Sequence, residues 1–239
     1  MSENKKVIYI VGMGPGSISG MSGDAVEALH KSDMIIGYTV YGDLVRQHFR
    51  DKEFKTTPMR QEIERCRICF DYAMEEKQVA MICSGDAGVY GMAAPMFEMA
   101  EGYPEVELVV IPGVTAANSG AAALGAPLNH DYCVISLSDL MTPWELIEKR
   151  LAAAAVGDFC MAIYNPSSHH RADYLKRACD ILQKNDVEPE RACGYVENIG
   201  RENTACEVCT LAELRERQVN MFTTVFIGNS RTKIIGGKL

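Results

Sequence analysis

The segment Ile8 to Ile18, IYIVGMGPGSI, constrains this chain more than any other stretch. A hydrophobic strand run breaks into Gly12, Gly14, Pro15 and Gly16, and a helix-like stretch follows. Clustered glycines between a strand and a helix let a small molecule approach the backbone at the edge of an α/β sheet. The dinucleotide fingerprint nevertheless fails twice here. The third glycine of G-x-G-x-x-G falls on Ser17, and Pro15 removes a backbone N–H that would cradle a phosphate. The second strand candidate, Asp33 to Tyr38, also ends without an acidic residue to grip a ribose hydroxyl.

Strand-like runs recur at Val7 to Val11, Met34 to Gly37, Phe54 to Thr56, Val79 to Cys83 and Val106 to Ile111, with helical patterns such as Asp24 to Lys31 and Arg60 to Glu76 between them. This alternation predicts an α/β domain over residues 1–125, a mostly parallel five-stranded sheet with helices on both faces. After Gly125-Ala126-Pro127 the texture changes. Strands Cys133 to Leu137 and Phe159 to Tyr164 flank a helix from Pro143 to Ala155, and Ala192 to Glu197, Thr204 to Cys209 and Thr223 to Ile227 follow closely. That crowding predicts a second α/β domain over residues 126–239 with a mixed sheet. The tight join predicts a rigid cleft between the two domains.

The balance of 24 Lys plus Arg against 32 Asp plus Glu gives a net charge of −8, which argues against a broad nucleic-acid surface. No run approaches a membrane span, and the start MSENKKVIYIVG drops straight into a strand, so the expected setting is cytoplasmic. Nine cysteines suit a reducing compartment better than a disulfide framework. The pairs Cys66/Cys69 and Cys206/Cys209 share C-x-x-C spacing, but the first reads as helical, with both thiols on one face, and the second as a strand with its thiols on opposite faces. No metal site is expected from them.

Three loops carry the chemistry: GMGPG, then SGDAGVYG from Ser84 to Gly91, then PGVTAANSGAAALG from Pro112 to Gly125. Each follows a predicted strand end, so all three should gather on one sheet edge. They hold no Lys or Arg, while Asp86, Thr115, small side chains and backbone carbonyls abound. Such walls disfavour phosphate and suit a ligand with a cation, an amino-acid moiety and a nucleoside. S-adenosylmethionine is such a ligand.

Together with YNP at Tyr164 to Pro166 and VEN at Val196 to Asn198, these motifs run in an order that resembles the tetrapyrrole methylases along nearly the whole chain. The segments IIGYTVYGDL, SLSDLMTPWELIEKRL and YNPSSHHRADYL look most like the branch that methylates ring carbon C17 of a precorrin in cobalamin synthesis. The resemblance implies methyl transfer with ring contraction, a homodimer, and a cofactor folded into the cleft between the domains. Carried over by position, Gly14 and Pro15 would shape the cofactor floor. Gly85, Asp86, Ala87 and Val89 would line one wall, Thr115 and Ala116 would contact methionine or adenosine, and Asn165 and Ile199 would close the slot. Core packing is the competing account of Val89, Ala116 and Ile199.

Related uroporphyrinogen methylases carry an Asp after the second strand where this chain has Tyr38, so a proton role does not transfer directly. Asp139 and Tyr38 are the candidates for the proton transfers that ring contraction demands. Asp139 is equally suited to anchor or cap the helix at Pro143. Arg46, Arg60, His169, His170 and Arg171 are the candidates for gripping an anionic tetrapyrrole through its carboxylates, with surface solvation as the competing account of each. Trp144 would either stack on a macrocycle or staple its helix to the domain. The rival activities are methylation of another precorrin carbon, methylation of a ribosomal RNA ribose, and non-catalytic corrinoid carriage.

Overall fold

The computed structural model describes residues 6–168 and 171–239. Contacts divide the chain into two compact units, Met1–Ala116 and Ala117–Leu239. In the first, β1 (Lys6–Gly12), β2 (Met34–Tyr38), β3 (Glu53–Thr57), β4 (Val79–Cys83) and β5 (Val106–Ile111) form a sheet of order β3-β2-β4-β1-β5. Every pairing in it is parallel. The central strand β4, VAMIC, is buried at all five positions, whereas the edge strand β3, EFKTT, alternates exposed and covered residues. Full burial of the first and half-burial of the second are what a two-faced parallel sheet demands of its middle and its edge.

Helices cover both faces. Ile8, Ile10, Met34, Ile36, Val79 and Met81 pack with Cys66, Cys69, Phe70 and Ala73 of α3 (Glu62–Met74) and with Ala93 and Met96 of α4 (Ala93–Ala100). The alternate residues Val11, Ile35, Ala80 and Ile82 pack with Ala25, Ala28 and Leu29 of α1 (Gly23–Lys31) and Val45 of α2 (Thr39–Arg46). Ser22 starts α1 by accepting a hydrogen bond from the Ala25 N–H.

In the second unit β6 (Tyr132–Ser136), β7 (Cys160–Tyr164), β8 (Ala192–Glu197), β9 (Ala205–Thr210) and β10 (Thr223–Ile227) order as β6-β7-β10-β8-β9. The β6–β7 pair is parallel and the other three pairs are antiparallel, so this sheet is mixed as expected. Along β10, Val225 and Ile227 face α6 (Trp144–Val156), α7 (Tyr174–Lys184) and α8 (Leu211–Arg215). Phe226, between them, faces α5 (Ala116–Leu124). A Cβ at Gly120 would meet the Phe226 ring at 2.7 Å, so glycine lets α5 lie directly on the strand. This packing ties α5 to the second unit and places the join at Ala116/Ala117, ahead of the Gly125 turn where the sequence suggests it.

The expected strands all form, with ends shifted by at most a residue or two. Four helices, α2, α4, α7 and α8, are not anticipated from the sequence. Gly42 interrupts α2, Pro95 sits in the first turn of α4, and α8 has five residues, so propensity is weak in each. Helix α7 has a clear apolar stripe, Leu175, Ala178, Cys179 and Leu182, which the polar run before it obscures. Among the described residues no helix is long and apolar enough to cross a membrane.

All nine thiols are free. Cys66 and Cys69 lie buried together on α3, while on β9 Cys206 is exposed and Cys209 buried, as helix and strand periodicity require. No group of three metal-binding side chains occurs among the described residues. Burial pushes the thiols of Cys66, Cys133 and Cys209 up to about 11 and those of Cys83 and Cys179 up to about 12. Thiolate is the reacting species, so native protein treated with iodoacetamide at pH 8 should gain one adduct quickly, at the exposed Cys206, half-buried Cys133 should follow slowly, and the seven buried thiols should react only on unfolding. Peptide mass spectrometry reads the sites, and rapid labelling of Cys83 or Cys179 would contradict the packing.

Candidate functional site

Because the first sheet is parallel, the carboxyl ends of β4, β1 and β5 lie side by side, and the three glycine loops leave from them. The loops are joined by backbone. Met13 N–H donates to the Cys83 carbonyl at 2.9 Å, and Gly14 and Gly85 exchange reciprocal N–H to carbonyl bonds of 3.0 and 2.8 Å. A Cβ at Gly113 would lie 2.2 Å from the Gly85 carbonyl oxygen and 2.5 Å from that of Gly12. No other residue fits there without separating the strands' ends. Gly14 takes φ +65, and a Cβ on it would strike the Gly20 carbonyl at 2.5 Å, so this turn too is specific for glycine.

Asp86 ties the second loop to itself and to the third. Its Oδ1 accepts from the N–H groups of Gly88 (2.8 Å) and Val89 (3.1 Å), and its Oδ2 accepts from Gly113 N–H (2.9 Å). Ala87 is fully buried in the core below, and its carbonyl receives the Ala93 N–H at the start of α4. Val89 is half-buried, and Pro15 packs its ring on Gly20. A Cβ on Gly85 would sit 3.5 Å from Ala116 N and 3.6 Å from Thr115 Cα, so those two residues flank the same junction. Gly14, Pro15, Gly85, Asp86, Ala87, Val89, Thr115 and Ala116 are therefore brought together.

The donor set discriminates between ligands. The junction carries one carboxylate and no Lys or Arg, so its field attracts a cation and repels a pyrophosphate. Its exposed polar groups are mostly backbone, suited to the edges of a purine and to a ribose. A sulfonium nucleoside fits; a dinucleotide does not.

The second unit places the remaining candidates. Asn165 adopts φ 51 after β7, and its amide donates to Ser136 Oγ at 2.9 Å. Neighbouring Tyr164 receives on its hydroxyl the Ala117 N–H at the start of α5, 2.8 Å away, satisfying an otherwise open helix donor. Ile199 packs against Gly120 beside Phe226, a core contact.

Asp139 does not cap the following helix, whose N-cap is Pro143 with no side-chain bond. Its Oδ2 instead accepts the Tyr174 hydroxyl at 2.6 Å, and its Oδ1 lies 3.8 Å from Arg171 Nη1. The carboxylate holds the Tyr174 phenol above its ordinary range. Tyr174, 35 residues away in sequence, is the functional candidate that sequence reading misses, because nothing local signals the contact. Trp144 packs against the Tyr174 ring, 4.5 Å between centroids, and under the Arg177 guanidinium at 3.9 Å, so it staples α6 to α7.

Tyr38 ends β2 at the carboxyl edge and meets Tyr41 edge-on. Arg60 lies at the same edge, after β3, exposed and with φ 66. Arg46 does not join them. It ends α2 and stacks on Phe54, the second residue of β3, toward the amino ends of the strands. Arg171 is anchored by its Nε to Ser168 Oγ at 3.0 Å. His169 and His170 lie outside the described residues.

A parallel α/β unit with a base-poor glycine junction, followed by a unit with a mixed sheet, defines a two-domain methylase architecture distinct from the dinucleotide folds. The family profile for Tetrapyrrole (Corrin/Porphyrin) Methylases matches residues 7–215, and the chain belongs to that family. It is 40% identical over 232 residues to a probable cobalt-factor III C(17)-methyltransferase of Salmonella typhimurium, covering 97% of this chain and 96% of that one. It is 42% identical to a cobalt-factor III methyltransferase of Priestia megaterium, covering 95% of this chain but 43% of that longer protein. The crystal structure of the methyltransferase CobJ superposes with a TM-score of 0.87 at 35% identity, covering 97% of both chains.

The junction yields a direct test. Gly113→Ala should force the three loops apart and cost about 1–3 kcal/mol of stability, as overpacking does. Thermal denaturation checks the loss, and calorimetry should show S-adenosylhomocysteine binding abolished. Unchanged stability and binding would contradict the close approach.

Proposed function

We propose that this protein transfers a methyl group from S-adenosylmethionine to ring carbon C17 of precorrin-3B or its cobalt-containing counterpart, cobalt-factor III, with contraction of the macrocycle. The observation that carries this is the junction of three base-poor loops around Gly12, Gly85 and Gly113, in a chain similar over nearly its full length to a C17-methyltransferase. When bound, the methyl donor supplies an electrophilic carbon on a sulfonium. The backbone of residues 14–16, 84–89 and 113–116 holds its nucleoside and amino-acid parts. Asp86 supplies a negative field, and Pro15 and Val89 exclude water, with Ala87 packed in the core beneath them. With so reactive a donor, alignment and desolvation do most of the catalytic work.

Ring contraction adds proton transfers, for which Asp139 is the proposed group. Tyr174 donates to its Oδ2, and Arg171 lies near its other oxygen, so the carboxylate is held in one orientation. Arg60, Arg171 and the two histidines before it are proposed to meet substrate carboxylates, consistent with a chain whose own net charge of −8 demands local cations for an anionic ligand. A cytoplasmic homodimer belongs to the same proposal, supported by the family resemblance and checked by light scattering at twice the chain mass.

Incubation with methyl-13C S-adenosylmethionine and either tetrapyrrole tests the activity, NMR of the product locating the label. A label at C17 is expected; a label on another ring carbon, or on ribosomal RNA, would assign one of the rival activities. Asp139→Asn should lower kcat by about 10²-fold or more, the usual range for a lost acid–base group, with S-adenosylhomocysteine affinity unchanged. Asp86→Asn should reduce the affinity for S-adenosylmethionine relative to neutral S-adenosylhomocysteine by roughly threefold or more, since only the former carries the sulfonium charge. Equal losses for both ligands would remove Asp86 from that electrostatic role.

A further inference from the structure

Among the described residues one charged residue is fully buried: Arg65, 4% exposed, in the first turn of α3. A guanidinium keeps its proton in any protein environment, so burial removes a full positive charge from water at a large desolvation cost. No carboxylate among the described residues pairs with it. Its Nε donates to Thr57 Oγ1 at 2.9 Å and its Nη2 to the Pro58 carbonyl at 3.0 Å, both neutral acceptors. Its Nη1 meets the Met92 sulfur at 3.8 Å, and a thioether is a weak acceptor.

The position is as telling as the charge. Thr57 is the last residue of β3, and Met92 directly precedes α4 in the connection from β4. The guanidinium therefore sits under the β3-β2-β4 half of the carboxyl edge, with Tyr38 at the end of the strand between, while the base-poor junction occupies the β4-β1-β5 half. Asp86, the acid of that junction, has both oxygens committed to backbone N–H groups. One edge thus offers a half with a single carboxylate and no cation, and a half with an uncompensated cation.

We propose, resting on the tetrapyrrole reading above, that Arg65 anchors a carboxylate of the substrate, which takes the place of the Met92 thioether on the guanidinium. Pro58 and Met92, which touch the guanidinium, both reach solvent. Methionine has three rotatable side-chain bonds and leaves such a position readily. The vacated Nη1 joins the guanidinium's other free N–H groups in the forked geometry that suits a carboxylate.

Steady-state turnover of cobalt-factor III, alongside calorimetry with S-adenosylhomocysteine, tests this in three variants. Arg65→Met should raise KM for the tetrapyrrole by about ten- to a hundredfold, the usual loss for a charge-assisted bond, with S-adenosylhomocysteine affinity unchanged. Arg65→Lys, which keeps the charge without the fork, should fall between. Met92→Glu keeps Arg65 and supplies the absent counterion from within the chain. It should raise the thermal midpoint and raise KM as Arg65→Met does, and it decides the matter if Arg65→Met does not fold. A native KM in Met92→Glu, or loss of S-adenosylhomocysteine affinity in step with KM, would overturn the anchor. Failure of the unmodified protein to turn over either tetrapyrrole would overturn the parent reading instead.

Discussion

The carboxyl ends of three neighbouring strands meet at a separation that only glycine permits. Gly12, Gly85 and Gly113 approach so closely that a methyl group on Gly113 would fall well inside van der Waals contact distance of two carbonyl oxygens. The reciprocal bonds between Gly14 and Gly85 and the Asp86 carboxylate then lock three loops into one surface. That surface is made of backbone, so its chemistry is set by the turns more than by side chains. It also carries net negative charge, which separates it from the phosphate-binding glycine loops that other parallel sheets support at their carboxyl edges.

The same parallel order divides the edge electrically. The β4-β1-β5 half has the Asp86 carboxylate and no cation, and the β3-β2-β4 half covers the buried Arg65 guanidinium. A reaction between a cationic donor and a polyanionic acceptor needs neighbouring places of opposite preference, and the two halves of this edge carry charges of opposite sign. In the second unit the Asp139–Tyr174 bond and the Trp144–Arg177 stack hold the β6–α6 connection to α7. The carboxylate is thereby fixed in orientation while the neighbouring aromatic rings staple the helix that follows.

Much of this was legible in the residues. Apolar runs marked the central strands because the sheets bury those on both faces, and the loop chemistry was visible in what Gly12 to Gly16, Ser84 to Gly91 and Pro112 to Ala116 lack as well as in what they contain. The contacts that matter most were not. Arg65 lies in RQEIERCRICF among exposed charges, and only the packing of α3 on the sheet turns it inward. Tyr174 reaches Asp139 across 35 residues, and Arg46 reads as a substrate ligand, whereas α2 carries it toward the amino ends of the strands. Helix α5 reads as a continuation of the third loop, yet Gly120 on Phe226 commits it to the second unit. Local sequence specifies elements and loop composition; the pairing of distant side chains appears only once topology has fixed their neighbours.

A crystal structure of the protein with S-adenosylhomocysteine addresses the central claim most directly. The nucleoside should lie against the backbone of residues 14–16, 84–89 and 113–116, with its sulfur on the side of the Asp86 loop and the Gly14–Gly85 bonds intact. Density for the molecule away from these loops, or a junction opened to admit it, would contradict the account.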